Sequence, residues 1–251
     1  SALITNTTGD NNVAIGRLAL TANTTADNNT AVGFCAGAAI TTGYQNTALG
    51  QNALDATTTA NQNTAIGAQT LSANTEGYAN TAVGFNALCT HTTGNSNTAV
   101  GDHAMKLTTT GTFNVAIGDN ALCANTTASQ NVAIGRDAMF ANTTGACNIA
   151  VGALALVANT SGTNNVAVGK DALNDNTTAS DNTAVGFCSL FANTTGCRNT
   201  AIGLGAIKCN VTGLRNTGVG YASLANTTAN NNSALGYDSL ILNTSGADNV
   251  A

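Results

Sequence analysis

The side chains best equipped for chemistry are few and scattered. His91 and His103 are the only two histidines in 251 residues. No serine or cysteine is spaced with them and an acid so as to build a nucleophile, a base and an orienting group. Asp137, Asp171 and Asp238 return at one register of the repeat described below, but two repeats separate the first two, so they make no acid pair. The seven cysteines show neither a CxxC nor a mixed Cys/His zinc spacing. Cysteines that share a register (Cys35 with Cys188, Cys89 with Cys123) never fall in adjacent repeats. Two stacked strands apart is roughly 9–10 Å, beyond the reach of a disulfide. The cysteines are therefore expected to be mostly free, semi-apolar fillers. The glycine–aspartate repeat that binds calcium is absent. The expectation is a protein with no catalytic residue, no cofactor and no metal.

The chemistry that does recur is amide and hydroxyl. Asn6, Asn23, Asn125, Asn142, Asn159, Asn176, Asn193, Asn210, Asn226 and Asn243 each open an N-x-T or N-x-S triplet, as do Asn28 and Asn231. In a secreted protein these are candidate glycosylation acceptors. The first ten fall at one register, so glycans on them would form a crowded line. The competing reading is that Asn-Thr-Thr is turn chemistry.

What positions these residues is a repeat. Asn12-Val13-Ala14-Ile15-Gly16 returns as Asn29-Thr30-Ala31-Val32-Gly33 and onward. Its closing glycines fall 17 residues apart from Gly16 to Gly220, with a last interval of 16 to Gly236. Each unit of so strict a period is one element that cannot bury its apolar face alone. With the asparagine as position 1, the consensus is N-[TV]-A-[VI]-G-x-x-A-L-x-A-N-T-T-[GA]-x-x. Position 4 is always aliphatic and position 9 nearly always Leu, Met or Ile. Both lie in short alternating segments bounded by Gly and by Thr/Asn clusters, a strand signature. The density of Gly, Asn and Thr disfavours helix. The fold expected is all-β: a parallel β-solenoid, or β-roll, of about fourteen to fifteen 17-residue coils with two short strands per coil. Residues 1–251 read as a single repeat array with partial coils at 1–11 and 249–251. The chain thus looks like a window on a longer fibre or a unit that stacks end to end.

Stacking gives the first asparagine its meaning. Asn12, Asn29, Asn46, Asn63, Asn80, Asn97, Asn114, Asn131, Asn148, Asn165, Asn182, Asn199, Asn216, Asn232 and Asn249 would lie one strand spacing apart. Identical amides at that spacing bond one another up the stack and lock the register. Threonine at position 13 is expected to form a similar ladder or a bond to backbone. Two places are irregular. Gly37 replaces the leucine at position 9, with Ile40 placed to compensate. One residue is missing between Leu224 and Asn226.

Position 3 is Ala in every repeat but one, where it is Gly218, and position 8 is Ala, Ser or Thr. Neighbours in a strand point to opposite faces. If positions 4 and 9 fill the coil, the small residues face outward and let a second chain pack close. Ala116, Ala133 and Ala150, with Ala121, Ala138 and Ala155 on the second strand, are thus candidate contacts of a homo-oligomer, with their opposite-face partners as the alternative.

Charged residues are only 8% of the chain and proline and tryptophan are absent. The seven Lys and Arg are scattered, which argues against nucleic-acid binding. No apolar run reaches membrane-spanning length, so membrane insertion is not expected.

The Asn-Thr/Val-Ala-Val/Ile-Gly segment resembles the head repeats of trimeric autotransporter adhesins, whose coils carry a similar N-S-V-A-I-G stretch. The longer pattern, as in Asn182-Thr-Ala-Val-Gly-Phe-Cys-Ser-Leu-Phe-Ala-Asn-Thr-Thr-Gly196, is similar to repeats of phage tail fibres. The resemblance covers the whole chain. It implies a left-handed parallel β-roll assembled as a parallel trimer, and it supplies no catalytic residues. The adhesin coil is shorter; the additional Asn-Thr-Thr-Gly turn is a departure. The expected function is a structural rod or head segment of an extracellular fibre at a virion or cell surface. Its expected partners are copies of itself and a cell-surface receptor or glycan. The alternatives are a glycosylated fibril subunit and an ice-binding solenoid. Against the latter, the threonines at positions 13 and 14 are adjacent and cannot share one face of a strand.

Overall fold

The structure, a computed structural model, describes every residue from Ser1 to Ala251. It is an all-β parallel β-solenoid with no helix. The chain forms two compact units, Ser1–Ala128 and Ser129–Ala251. The first holds β1 (Val13–Ile15), β2 (Thr30–Val32), β3 (Thr47–Leu49), β4 (Thr64–Ile66), β5 (Thr81–Val83), β6 (Thr98–Val100) and β7 (Val115–Ile117). The second holds β8 (Val132–Ile134), β9 (Ile149–Val151), β10 (Val166–Val168), β11 (Thr183–Val185), β12 (Thr200–Ile202), β13 (Thr217–Val219) and β14 (Ser233–Leu235). Within each unit every strand pairs in parallel with the next, like position on like: Ala48 opposes Ala65 in the first, Ala150 opposes Ala167 in the second.

Each coil carries one strand, at positions 2–4, and not the two expected. The segment at positions 6–11 is a run of turns. Its backbone alternates in hand, because positions 7 and 9 are left-handed: φ is 63° at Leu18 and 46° at Leu20, 55° at Asn52 and 52° at Leu54. Alternation points successive N–H groups in opposite directions along the stack. The Cys35 N–H donates to the Arg17 carbonyl of the preceding coil (3.0 Å), whereas the Leu20 N–H donates to the Ala36 carbonyl of the following one (3.1 Å). A left-handed leucine costs roughly 1–2 kcal/mol. The full burial of its side chain, as at Leu20, Leu54 and Leu88, offsets that by about 1.5–3 kcal/mol.

The turns also break the inside–outside alternation, and the two faces are the reverse of the first expectation. Positions 3, 8 and 9 all point inward. Ala116, Ala133, Ala150, Ala121, Ala138 and Ala155 are wholly enclosed by their own chain, so none of them can form an oligomer contact. The aliphatic residue at position 4 points out: Ile15 is 60% exposed, Leu49 44% and Ile117 40%. The alanines are small because the opposite wall of their own coil and the large side chain of the coil before it are both close. A Cβ on Gly218 would lie 2.8 Å from Cγ1 of Ile207 and 3.0 Å from the carbonyl oxygen of Ser223. Each thin coil has room for one large side chain, at position 9, and for methyls around it.

Both irregularities now have a structural account. A Cβ at Gly37 would meet Ile40 Cδ1 at 3.0 Å and Leu20 Cδ2 at 3.1 Å, so Ile40 fills the space that leucine occupies elsewhere. The missing residue is not where sequence alignment put it. Cys209 N–H bonds the Ala225 carbonyl (2.8 Å) and the Thr228 hydroxyl bonds the Thr244 carbonyl (3.0 Å). These bonds are those of positions 10 and 13, so the deletion falls at position 14. Thr227, fully buried, takes the asparagine's place at position 12, and Asn226 moves to position 11.

Candidate functional site

The most organised chemistry in the molecule is a pair of buried side-chain ladders. Asn63 shows a complete rung of the first. Its backbone N–H and its Nδ2 both donate to Oδ1 of Asn46 (3.0 and 3.3 Å), and Nδ2 donates again to the carbonyl of Gly77 (2.8 Å). Its own Oδ1 accepts the equivalent two bonds from Asn80 (3.0 and 3.3 Å). Every polar atom of a fully buried amide is thereby used. The same rung recurs in the second unit, where Asn165 donates to Asn148 Oδ1 from N–H (2.9 Å) and Nδ2 (3.2 Å). The ladder expected from the sequence is present.

A second ladder, not foreseen, runs through position 12. Asn176 Nδ2 donates to Oδ1 of Asn159 (2.9 Å) and to the carbonyl of Ala179 (3.1 Å), and Asn193 continues it to Asn176 (3.0 Å). This is where most of the sequons lie. Asn23, Asn125, Asn142, Asn159, Asn176, Asn193 and Asn210 are fully buried. A glycan cannot be attached to these amides in this fold, because the acceptor nitrogen is enclosed and already donating. Asn6 and Asn243 are partly buried and donate to Gly9 and Gly246. Asn226 is exposed but bonds the Ile241 carbonyl (2.9 Å), and exposed Asn231 bonds Asp248 (3.0 Å). Exposed Asn28, at position 17, has no side-chain hydrogen bond. The signal that could have revealed this second ladder was the recurrence of asparagine at position 12, at the same 17-residue period as the first.

That threonine, at position 13, donates its hydroxyl to the position-13 carbonyl of the next coil, for example Thr41 to Thr58 (3.2 Å) and Thr177 to Thr194 (3.1 Å). The bond is to backbone, one of the two alternatives expected.

The remaining titratable groups do not converge on a cleft. His103 Nδ1 lies 3.2 Å from Asp102 and its Nε2 is 3.4 Å from Asn86 Nδ2. His91 is buried in the second ladder, with Nε2 2.7 Å from the Gly94 carbonyl; burial holds its pKa below the usual value, and the bond to Gly94 works the other way. Arg136–Asp137 (3.7 Å), Lys170–Asp171 (3.6 Å) and Arg198–Asp181 (3.8 Å) are surface pairs, each worth little. All seven cysteines are free. Burial pushes the thiols of Cys89 and Cys123 upward, away from the reactive thiolate. Position 6 carries the exposed Phe34, Phe85, Phe187, Tyr221 and Tyr237; Tyr44, Tyr78, Phe113 and Phe140 are exposed at other positions. Tyr221 and Tyr237 stack on each other at 5.0 Å, and Arg17 lies over Phe34 at 5.6 Å. An open cleft of about 300 Å³ lies against β14, lined by Val219, Ser233, Ala234, Leu235 and Val250, with no titratable side chain.

No family model, no curated protein and no solved structure matches this chain.

Proposed function

We propose that the chain is a structural segment of an extracellular fibre, a phage tail fibre or a surface adhesin, that spaces a binding tip from a surface and associates with copies of itself. The observation that carries this reading is the uniformity of the coils. The amide rungs, the enclosed alanines and the buried leucine recur from coil to coil, and no coil gathers a cluster of groups that its neighbours lack. A catalytic role gains no support from such a surface; a spacer does. Association with copies, as a parallel trimer, finds its support on the outward strand face. In each unit positions 2 and 4 form two columns of Val, Ile, Leu, Thr and Ser without one charged residue. Uncharged, partly apolar patches of this kind mark contact surfaces. The test is solution mass. The wild type should have the mass of a trimer, and Ile202→Asp, on the 40% exposed face, should dissociate it while each chain keeps the β signal in circular dichroism. A wild type that stays monomeric at high concentration overturns the reading.

A second reading, ice binding, gains one observation. Thr30, Thr47, Thr64, Thr81 and Thr98 occupy five consecutive strands on the outward face, and none of their hydroxyls has a protein partner. That row, not the threonines at positions 13 and 14, would meet the ice. A monomer showing thermal hysteresis would favour this reading over the fibre.

A further inference from the structure

We propose that the hydroxyl at position 14 is a row of O-glycosylation acceptors. The three residues of each Asn-Thr-Thr turn have separate environments. The asparagine is locked in the buried ladder, and the first threonine donates to the next coil. The second hydroxyl residue is exposed in every coil that has one, from Thr8 to Thr127 in the first unit and from Thr144 to Ser245 in the second. None of these hydroxyls makes a hydrogen bond within the chain.

An exposed side chain with no partner is free to vary. The other exposed positions do vary: position 6 runs through Arg17, Phe34, Gln51, Ala68, Phe85 and Asp102. Position 14 does not. It is Thr or Ser in every coil that has the position, with Glu76 as the one exception. The exceptions separate the causes. Ser161 and Ser245 show that a β-branched side chain is not what the backbone needs there. Glu76 shows that the turn forms without a hydroxyl. What the position retains is the hydroxyl itself, and an exposed, unbonded hydroxyl is retained for a chemistry performed on it. The chain is also short of the usual means of staying hydrated, with only 8% charged residues against about a quarter in ordinary domains. Sugars supply that polar surface.

The transfer is a substitution at the anomeric carbon of a nucleotide-sugar donor, carried out by a glycosyltransferase of the producing cell. The threonine oxygen forms the new bond to carbon. The bond from that carbon to the diphosphate oxygen breaks, and the nucleoside diphosphate leaves with the electron pair. The hydroxyl proton passes to a base of the transferase. Successive acceptors are about 4.8 Å apart along the stack. That spacing admits sugar rings stacked face to face and excludes branched glycans on consecutive rungs. The sugar is therefore a single residue or an unbranched chain. Phosphate is disfavoured, since each added group carries about −1.5 to −2 charge and neighbours would repel.

The test is intact-mass and fragment-ion spectrometry of the protein made by its own cells. The expected result is a mass excess in whole sugar residues, mapped to position-14 hydroxyls such as Thr110 and Thr178 and missing from Thr109 and Thr177. Thr178→Ala should lose one sugar unit and Thr177→Ala none. A native mass equal to that of the bare sequence overturns the proposal, as do sugars confined to asparagines or to position 13, or phosphate in their place. The outcome does not depend on the fibre reading, which is decided by the oligomer's mass.

Discussion

His91 occupies the rung of the second ladder next to Asn74 and brings one N–H where asparagine brings two. Its Nε2 hydrogen goes to the Gly94 carbonyl (2.7 Å), as one amide hydrogen does in the asparagine rungs, Asn74 to Gly77 for example. Nothing remains for the Oδ1 of Asn74, which is buried without a donor, and the Nδ1 of His91 is likewise unpartnered.

His91→Asn should therefore supply the donor that Asn74 lacks and raise stability by about 1 kcal/mol. It should also remove a pH dependence. Burial favours the neutral ring, so the folded pKa lies below the unfolded value near 6.5. The unfolded chain then binds more protons, and the neutral ring's contribution, full above pH 6.5, is lost as pH falls towards the folded pKa. Thermal melts between pH 8 and 4 should show the wild type losing stability below about 6.5, with a flatter profile in the variant.

Replacing Asn165 by Leu should cost at least roughly 1–3 kcal/mol, the penalty of a single buried polar group left unpaired. The substitution strips the Oδ1 that receives Asn182 at 3.1 and 3.3 Å and the donor that serves Ala179 at 2.8 Å. Arg136→Gln, on an exposed side chain, should change the melting temperature little. Equal effects from the two would contradict a ladder that sets stability.

Ala133→Arg should unfold its coil and not merely divide an assembly, because Ala133 is fully enclosed and the guanidinium would have neither space nor partner. Circular dichroism of the variant should lose the β signal that Ile202→Asp retains.

Gly84 and Gly236 separate two costs of replacing glycine. Both hold a backbone that disfavours other residues, with φ of 133° and 130°. A Cβ on Gly84 would sit 2.3 Å from the Gly101 carbonyl oxygen, whereas one on Gly236 meets nothing within 4 Å. Gly236→Ala should cost roughly 1–3 kcal/mol from conformation alone. Gly84→Ala should cost clearly more in denaturant titrations.

The solenoid and its first ladder were legible because period and residue identity suffice for them. Asn63 must stack on Asn46 in any parallel array of this repeat. The strand count and the faces were not legible. Alternation assumes that every residue is extended, and the left-handed backbone at Leu18 and Leu20 breaks it without any glycine to announce the break. Ala133 next to Ile134 then reads equally well as inside or outside. The second ladder was hidden for a related reason: Asn-Thr-Thr is ordinary turn vocabulary, and only the enclosed position of Asn176 shows that the turn folds into the core.

Because each rung bonds only to the coils beside it, the array has no single point at which it yields. A force pulling on the two ends of a unit would peel the outermost coil, break its bonds to one neighbour, and meet the same resistance at the next. Each release frees 17 residues, roughly 55 Å of extended chain, so the extension record should be a train of nearly equal steps. The His91 and Ile40 coils, which leave the Oδ1 of Asn74 and of Asn23 without a donor, are where the steps should come at lower force. A unit built this way yields by small losses, where a globular domain gives way at once.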